Sequence, residues 1–224
     1  LWTRPDLNGW AVETGVEGAL NRLRSKVDLF GFAGDGVRSR IDLPVDDAIV
    51  TEYRAEGFAN ASRALSPKLR MDLALNYEVS RLTVDGDADA KRSLRFLKPK
   101  MNVEWRPDDG WRSQLSVART VAQLRFEEFI SAAELANERV NGGNAELVPQ
   151  RSWEALATVE KQVLGNGLVK IELGYTRTAL VQDRVPTPEG FDAPGNLGDG
   201  TSKIARATYD IPVSKLGIKG GRIS

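Results

Sequence analysis

Two adjacent carboxylate pairs, Asp46-Asp47 and Glu127-Glu128, and a run of alternate acids, Asp85, Asp87 and Asp89, are the residues whose type and spacing come nearest to chemistry. Glycoside hydrolysis needs two carboxyl groups facing each other across a bound sugar. Neighbours in sequence do not provide that arrangement, so both pairs read as charged loop tips. The alternate acids open like a calcium loop. Ala90 stands where such a loop needs glycine and Phe96 where it needs a bidentate glutamate, so an EF-hand is excluded. Gly31-Phe32-Ala33-Gly34-Asp35-Gly36 lacks the G-x-G-x-x-G spacing and no Gly-Lys-Ser/Thr follows, which makes it a loop rather than a phosphate cradle. Lys98, Lys100 and Arg95 form a basic cluster on what reads as a polar strand face.

What the chain lacks is equally informative. It contains no His and no Cys, which removes Ser-His-Asp triads, imidazole acid–base catalysis, thiolate nucleophiles, thiolate zinc sites and disulfides. Lys plus Arg is 31 and Asp plus Glu is 31, a balance that argues against a nucleic-acid partner. The expectation is a protein that is not an enzyme and has no cofactor, no metal site and no catalytic residues.

The elements that must position these residues are strands, because the dominant hydropathy period is two. In 68–82, Leu69, Met71, Leu73, Leu75, Tyr77 and Val79 share one face, against Arg70, Asp72, Asn76, Glu78 and Ser80. Leu97, Met101, Val103 and Trp105 oppose Lys98, Lys100, Asn102 and Glu104. Leu115, Val117 and Val121 oppose Arg112, Gln114, Ser116 and Thr120, and the same pattern recurs around Val169–Val181 and Ala205–Val213 and near Trp10–Leu20. Residues 49–65 alternate only weakly. The clear segments run to about ten residues or more, the length of a tilted strand crossing a bilayer and longer than the ~5–6 usual in soluble sheets. No apolar run reaches the ~18 residues of a membrane helix, which does not exclude a membrane, because barrel strands alternate apolar and polar residues.

Connection lengths alternate. Tight turns are expected at 66–67, 106–110 and 165–167, and long loops at 83–92, 125–150 and 182–201. Short turns at one end and long loops at the other are the layout of an outer-membrane barrel. Trp105 and Trp111 bracket one tight turn on the apolar face, where a membrane–water belt would place indoles. The alternative on this pattern is a soluble β-sandwich binding module, for example one for carbohydrate.

The run Gly143-Asn144-Ala145-Glu146-Leu147-Val148-Pro149-Gln150-Arg151-Ser152-Trp153-Glu154 resembles a segment of TonB-dependent outer-membrane receptors that leads from a long extracellular loop into a barrel strand, with Gln150 where that family usually carries Glu. Phe96-Leu97-Lys98-Pro99-Lys100 followed by Val103-Glu104-Trp105-Arg106-Pro107 resembles the family's strand and turn. Val121 to Phe129, Gly174-Tyr175-Thr176-Arg177, Asp183-Arg184-Val185-Pro186 and Asn196-Leu197-Gly198-Asp199-Gly200 resemble neighbouring pieces in the same order. The resemblance covers most of 48–213.

It implies an all-β, antiparallel up-and-down transmembrane β-barrel wall, a partial barrel of about eight to ten strands occupying 1–224. The implied role is part of a transporter that takes up a scarce extracellular ligand across the bacterial outer membrane. Its implied partners are outer-membrane lipid, a small extracellular ligand, and a plug domain and TonB reached through sequence outside this chain. Leu1 is not a start Met, and Ser224 is not the aromatic residue that usually closes such a barrel, so the chain is expected to be an excerpt. Ligand contacts are expected from the long loops, with Phe126, Phe129, Arg139, Asn141, Asn144, Arg184 and Phe191 as candidates.

Overall fold

The computed structural model describes the chain apart from residues 33, 35, 44, 109, 135–138, 189–191, 213–220 and 224 and the side chains of 132–134, 139–141, 222 and 223. Sixteen strands are described: β1 (Trp2–Leu7), β2 (Trp10–Lys26), β3 (Leu29–Phe32), β4 (Arg38–Ile41), β5 (Asp47–Ser66), β6 (Leu69–Gly86), β7 (Ala90–Trp105), β8 (Trp111–Val121), β9 (Ala132–Glu134), β10 (Arg139–Asn141), β11 (Arg151–Val163), β12 (Gly167–Ala179), β13 (Gln182–Pro186), β14 (Asp192–Asn196), β15 (Gly200–Pro212) and β16 (Arg222–Ile223). A single-turn 3-10 helix covers Phe126–Phe129.

Ten of the strands make one antiparallel up-and-down sheet in the order β1-β2-β5-β6-β7-β8-β11-β12-β15-β16. Each pairs with the next wall strand in sequence, and the sheet does not close on itself, so it is a partial barrel. The remaining strands lie within the long connections. β3 and β4 form a hairpin between β2 and β5, and β13-β14-β10-β9 form a second small sheet joining the connections 122–150 and 180–199.

The short connections 8–9, 67–68, 106–110 and 164–166 therefore fall at one end, and 27–46, 87–89, 122–150 and 180–199 at the other. This is the expected segregation with one correction. The stretch 83–92 is not a long loop. β6 runs to Gly86 and β7 begins at Ala90, with Asp85 opposite Ile49 and Gly86 opposite Ala48. Acidic composition suggested a loop, but the inward residues there are apolar, and burying Leu82 and Val84 keeps the strand paired to its tip. The weakly alternating 49–65 lies within β5, the longest strand, at 20 residues. Its pattern is faint because Ala55, Gly57, Ala59 and Ala61 occupy the face that Val79, Tyr77, Leu75 and Leu73 occupy next door.

That face is open. Many of its large apolar residues are exposed, from 37% at Leu73 to 85% at Val16. The opposite face carries, beneath the long connections, the main cluster of buried apolar residues: Val45, Ala48, Val50, Leu82, Val84, Phe129, Ile130, Ala145 and Leu147. Inward positions of β6 thus change character along the strand, from Asp72, Asn76 and Glu78 to Leu82 and Val84.

The tip of β6 is fixed by Gly86, whose φ of +137° few side chains adopt and whose Cβ would lie 2.2 Å from the Asp47 carbonyl oxygen. That carbonyl accepts the Asp87 amide at 3.0 Å. Gly86→Ala is expected to unpair this tip, costing ~1–3 kcal/mol locally. Amide hydrogen exchange should quicken at residues 85–87 and stay unchanged at 69–77; protection retained at 85–87 would refute it.

Candidate ligand-binding cavity and the loop end

The candidate site grows out of the wall's inner face. In a pleated strand alternate side chains share a face, so Glu56, Glu78 and Lys98, on three adjacent strands, converge. Lys98 Nζ donates to Glu56 Oε2 at 2.6 Å and to Glu78 Oε2 at 2.9 Å, and the Asn76 amide donates to the other oxygen of Glu56. Further along, Arg112 bridges Glu104 at 2.8 Å and Glu160 at 3.7 Å. Lys170 and Arg206 share Glu172 at 2.8 and 3.7 Å. Gln114 donates to Asn102 at 2.7 Å, and Thr120 donates to Glu154 at 2.6 Å. The expected basic cluster is dispersed: Lys98 is neutralised by two carboxylates, and Arg95 pairs with Val79 on the opposite face.

Between this wall and the connection after β8 lies a cavity of about 710 Å³. Phe96, Leu124 and Phe126 give it apolar surface, while Glu52, Arg54 and Lys98 give it charge. An amphiphilic cavity of this size under loops suits a small organic ligand better than an ion. Among the described residues no group of three or more acidic side chains could hold a metal ion.

The loops above it are tied down. Asp87's carboxylate accepts the amides of Asp46 at 3.1 Å and Asp47 at 2.7 Å, and Arg40 donates to Asp46 at 2.5 Å. A hydrogen bond with Asp46, followed by that Asp47 amide, holds the Asp87 carboxyl below its usual range, while Asp87 pushes Asp46 up. The Gly143–Gln150 run is a clamp. Gly143 packs so closely on Ile130 that a Cβ would sit 2.5 Å from its backbone. Asn144 donates to the Pro194 carbonyl at 2.8 Å and accepts the Glu146 amide at 2.8 Å. Asn196 accepts the Val148 amide at 3.0 Å and donates to the Val148 carbonyl at 2.9 Å, and Arg92 donates to the Leu147 carbonyl at 3.1 Å. The run therefore joins two long connections to β7.

Of the residues expected to touch ligand, Phe126 lines the cavity. Phe129 is 0% exposed, its ring wholly within the loop-end core. Asn144 holds the clamp, and Arg184 is exposed on β13. The side chains of Arg139 and Asn141, and Phe191 altogether, lie outside the described residues. Phe96, Leu124, Glu52 and Arg54 were not singled out from sequence. Glu52 and Arg54 lie in the weakly alternating stretch 49–65, and Phe96 opens a strand motif in which nothing marks it as a cavity residue.

No protein-family model matches the chain, and no curated protein matches it in sequence. Its structure is similar to that of a double mutant of the Serratia marcescens hemophore receptor HasR, solved in complex with its hemophore HasA and heme. The TM-score is 0.55 at 14% identity, over 90% of this chain. The chain spans 40% of that receptor's length. At this identity the likeness establishes the fold alone: an antiparallel β-barrel wall.

The charge ladder sets a test. Glu78 is 13% exposed at its side chain, so losing Lys98 leaves two poorly hydrated carboxylates facing each other. Lys98→Ala is expected to cost ~1.5–3 kcal/mol in unfolding free energy. A Glu78→Gln change in that background should restore part of it. Equal stability of all three proteins would show that the ladder contributes nothing.

Proposed function

We propose that this chain is part of the barrel wall of a TonB-dependent outer-membrane transporter, and that the loop end captures a scarce extracellular ligand which then passes inward. The observation that carries the reading is the division between the two faces of the sheet. One face exposes Val16, Leu73, Leu75, Leu97, Leu115 and Ile171 to the surroundings, while the other pairs its charges. Water would not favour so wide an apolar face on a soluble module, whereas hydrocarbon does.

Aromatic placement supports the same reading. Trp105, Trp111 and Tyr209 stand on the open face towards the tight turns, and Tyr77, Trp153 and Tyr175 towards the loops. Trp105 is opposite Leu69, and Tyr77 lies eight residues further up that strand. Eight residues span about 27 Å along a strand, or roughly 20 Å of height at a tilt near 40°, comparable to the apolar band of such barrels. The likeness to a hemophore receptor and the order of motifs between 48 and 213 favour a receptor, and no catalytic step is assigned to the chain. Energy coupling and gating belong to a plug domain and TonB contact supplied by other sequence.

Topology sets the first test. An epitope inserted after Glu146 should be accessible to antibody on intact cells, and one after Gly165 only on permeabilised cells. The reverse result would invert the wall, and equal access to both would remove it from the membrane. A second test is energetic. Leu73→Arg places a cation in the apolar band and should lower stability in a bilayer by ~2–4 kcal/mol, against little change for Asn76→Arg on the inner face. A neutral Leu73→Arg would refute lipid contact at that face.

A further inference from the structure

The wall's glutamates are sorted by face, and part of its cations are not matched to them. Every glutamate of β2, β5, β6, β7, β11 and β12 stands on the inner face, whereas Arg81, Arg95, Arg119, Arg151, Arg177 and Lys203 stand on the outer one. Zero net charge conceals this. Three of these cations meet around Trp153 in a cleft of about 290 Å³ lined by Arg119, Arg151, Trp153, Arg177 and Asp199. Arg119 is steered by a 3.0 Å bond to the Leu97 carbonyl, and Arg177 lies 3.6 Å from Asp199, the cleft's one carboxylate. Arg151 Nε is buried with no acceptor among the described residues. A buried N–H left without an acceptor is costly, and it marks a place for one.

The other side of Trp153 borders an apolar groove of about 420 Å³. Its floor comes from the small outer residues of β5, where Ala59 and Ala61 lie beside Leu73 and Leu75, and Pro99 and Met101 continue it across β7. One indole thus separates an arginine cleft from a hydrocarbon-sized trough.

We infer that this outer surface binds an anionic, phosphate-bearing lipid of the surrounding leaflet, its acyl chain in the groove and its phosphate in the arginine cleft. The inference rests on the membrane reading above. Guanidinium groups hold phosphate oxygens in forked, charge-assisted pairs, and three of them against one carboxylate leave the cleft a net positive site. Trp153 packs its ring against the chain at the level where head group and tail meet. The loop end faces the cell exterior in this reading, so the lipid is one of the external leaflet, whose phosphorylated glycolipids carry the required chemistry. On the inner face, by contrast, Lys98, Arg112 and Lys170 are matched by carboxylates.

Native mass spectrometry on the intact protein in detergent tests this with bisphosphorylated lipid A, its dephosphorylated analogue and inorganic phosphate. The wild type should retain bisphosphorylated lipid A, hold the dephosphorylated form about tenfold less well and show no phosphate adduct. Arg151→Gln with Arg177→Gln should lower retention at least about tenfold, and Arg177→Gln alone, at an exposed guanidinium, should lower it in part without affecting the fold. Lys68→Gln, in a turn at the opposite end, should change nothing. Equal retention by wild type and double variant, equal retention of both lipids, or a phosphate adduct without lipid would overturn the site. If the intact protein integrates into membranes while the variants keep their lipid, this site alone fails. If the protein is soluble without detergent, the transporter reading fails with it.

Discussion

The whole wall depends on parity. From β5 to β15 every cross-strand pair joins an odd residue to an odd one or an even to an even, as in Leu75 with Pro99, Val117 with Ala155, and Tyr175 with Lys203, broken only where β5 bulges near Leu65. Side chains alternate sides with each residue, so this single phase sends all odd positions outward and all even ones inward. A slip of one residue between β6 and β7 would turn Lys98 outward, away from Glu56 and Glu78, and bring Leu97 into the charged interior. Apolar exterior and ionic interior are thus one constraint, enforced by the ladder and by turns that preserve its phase.

The same constraint yields two kinds of inner surface. Over the lower wall many inward residues are charged or polar, and several satisfy one another across strands. Nearer the loops they become Val50, Leu82, Val84 and Phe96, and the connections 27–46 and 122–150 settle on them. The ladder supplies stability along the wall, and hydrophobic burial supplies it at the loop end. The cavity near Phe126 lies at the junction, which is why it combines aromatic walls with Glu52, Arg54 and Lys98.

Much of this was legible in the sequence. Leu69 to Ser80 announces its strand and both faces, because bulky apolar residues alternate with charges. β5 is harder, since alanine and glycine on its outer face give little contrast against Ser62 or Asn60, and only pairing with β6 reveals its length. Asp85-Gly86-Asp87-Ala88-Asp89 looks like a loop by composition, yet its first two residues complete a strand and its third holds the neighbouring turn through two amides. The site was less legible. Loop membership suggested Phe129 and Asn144, but the structure commits one to a core and the other to a clamp. Nothing local marks Glu52, Arg54 or Phe96 as cavity residues, because a cavity is made by what lies across from a residue.

The order of pairing also bears on how such a wall is built. Each strand's partners are its immediate wall neighbours, and five of the connections close over only a few residues. Chain-closure entropy for those hairpins is small and nearly equal, so assembly can add one hairpin after another without searching for distant partners. The loop-end core is the exception. Val45 accepts a hydrogen bond from Ser131 and donates one to the Ser131 hydroxyl, a contact between residues 86 apart in sequence. That contact has meaning only once β5 to β8 stand side by side. The barrel's mouth can therefore take its shape only after the wall beneath it has been laid down.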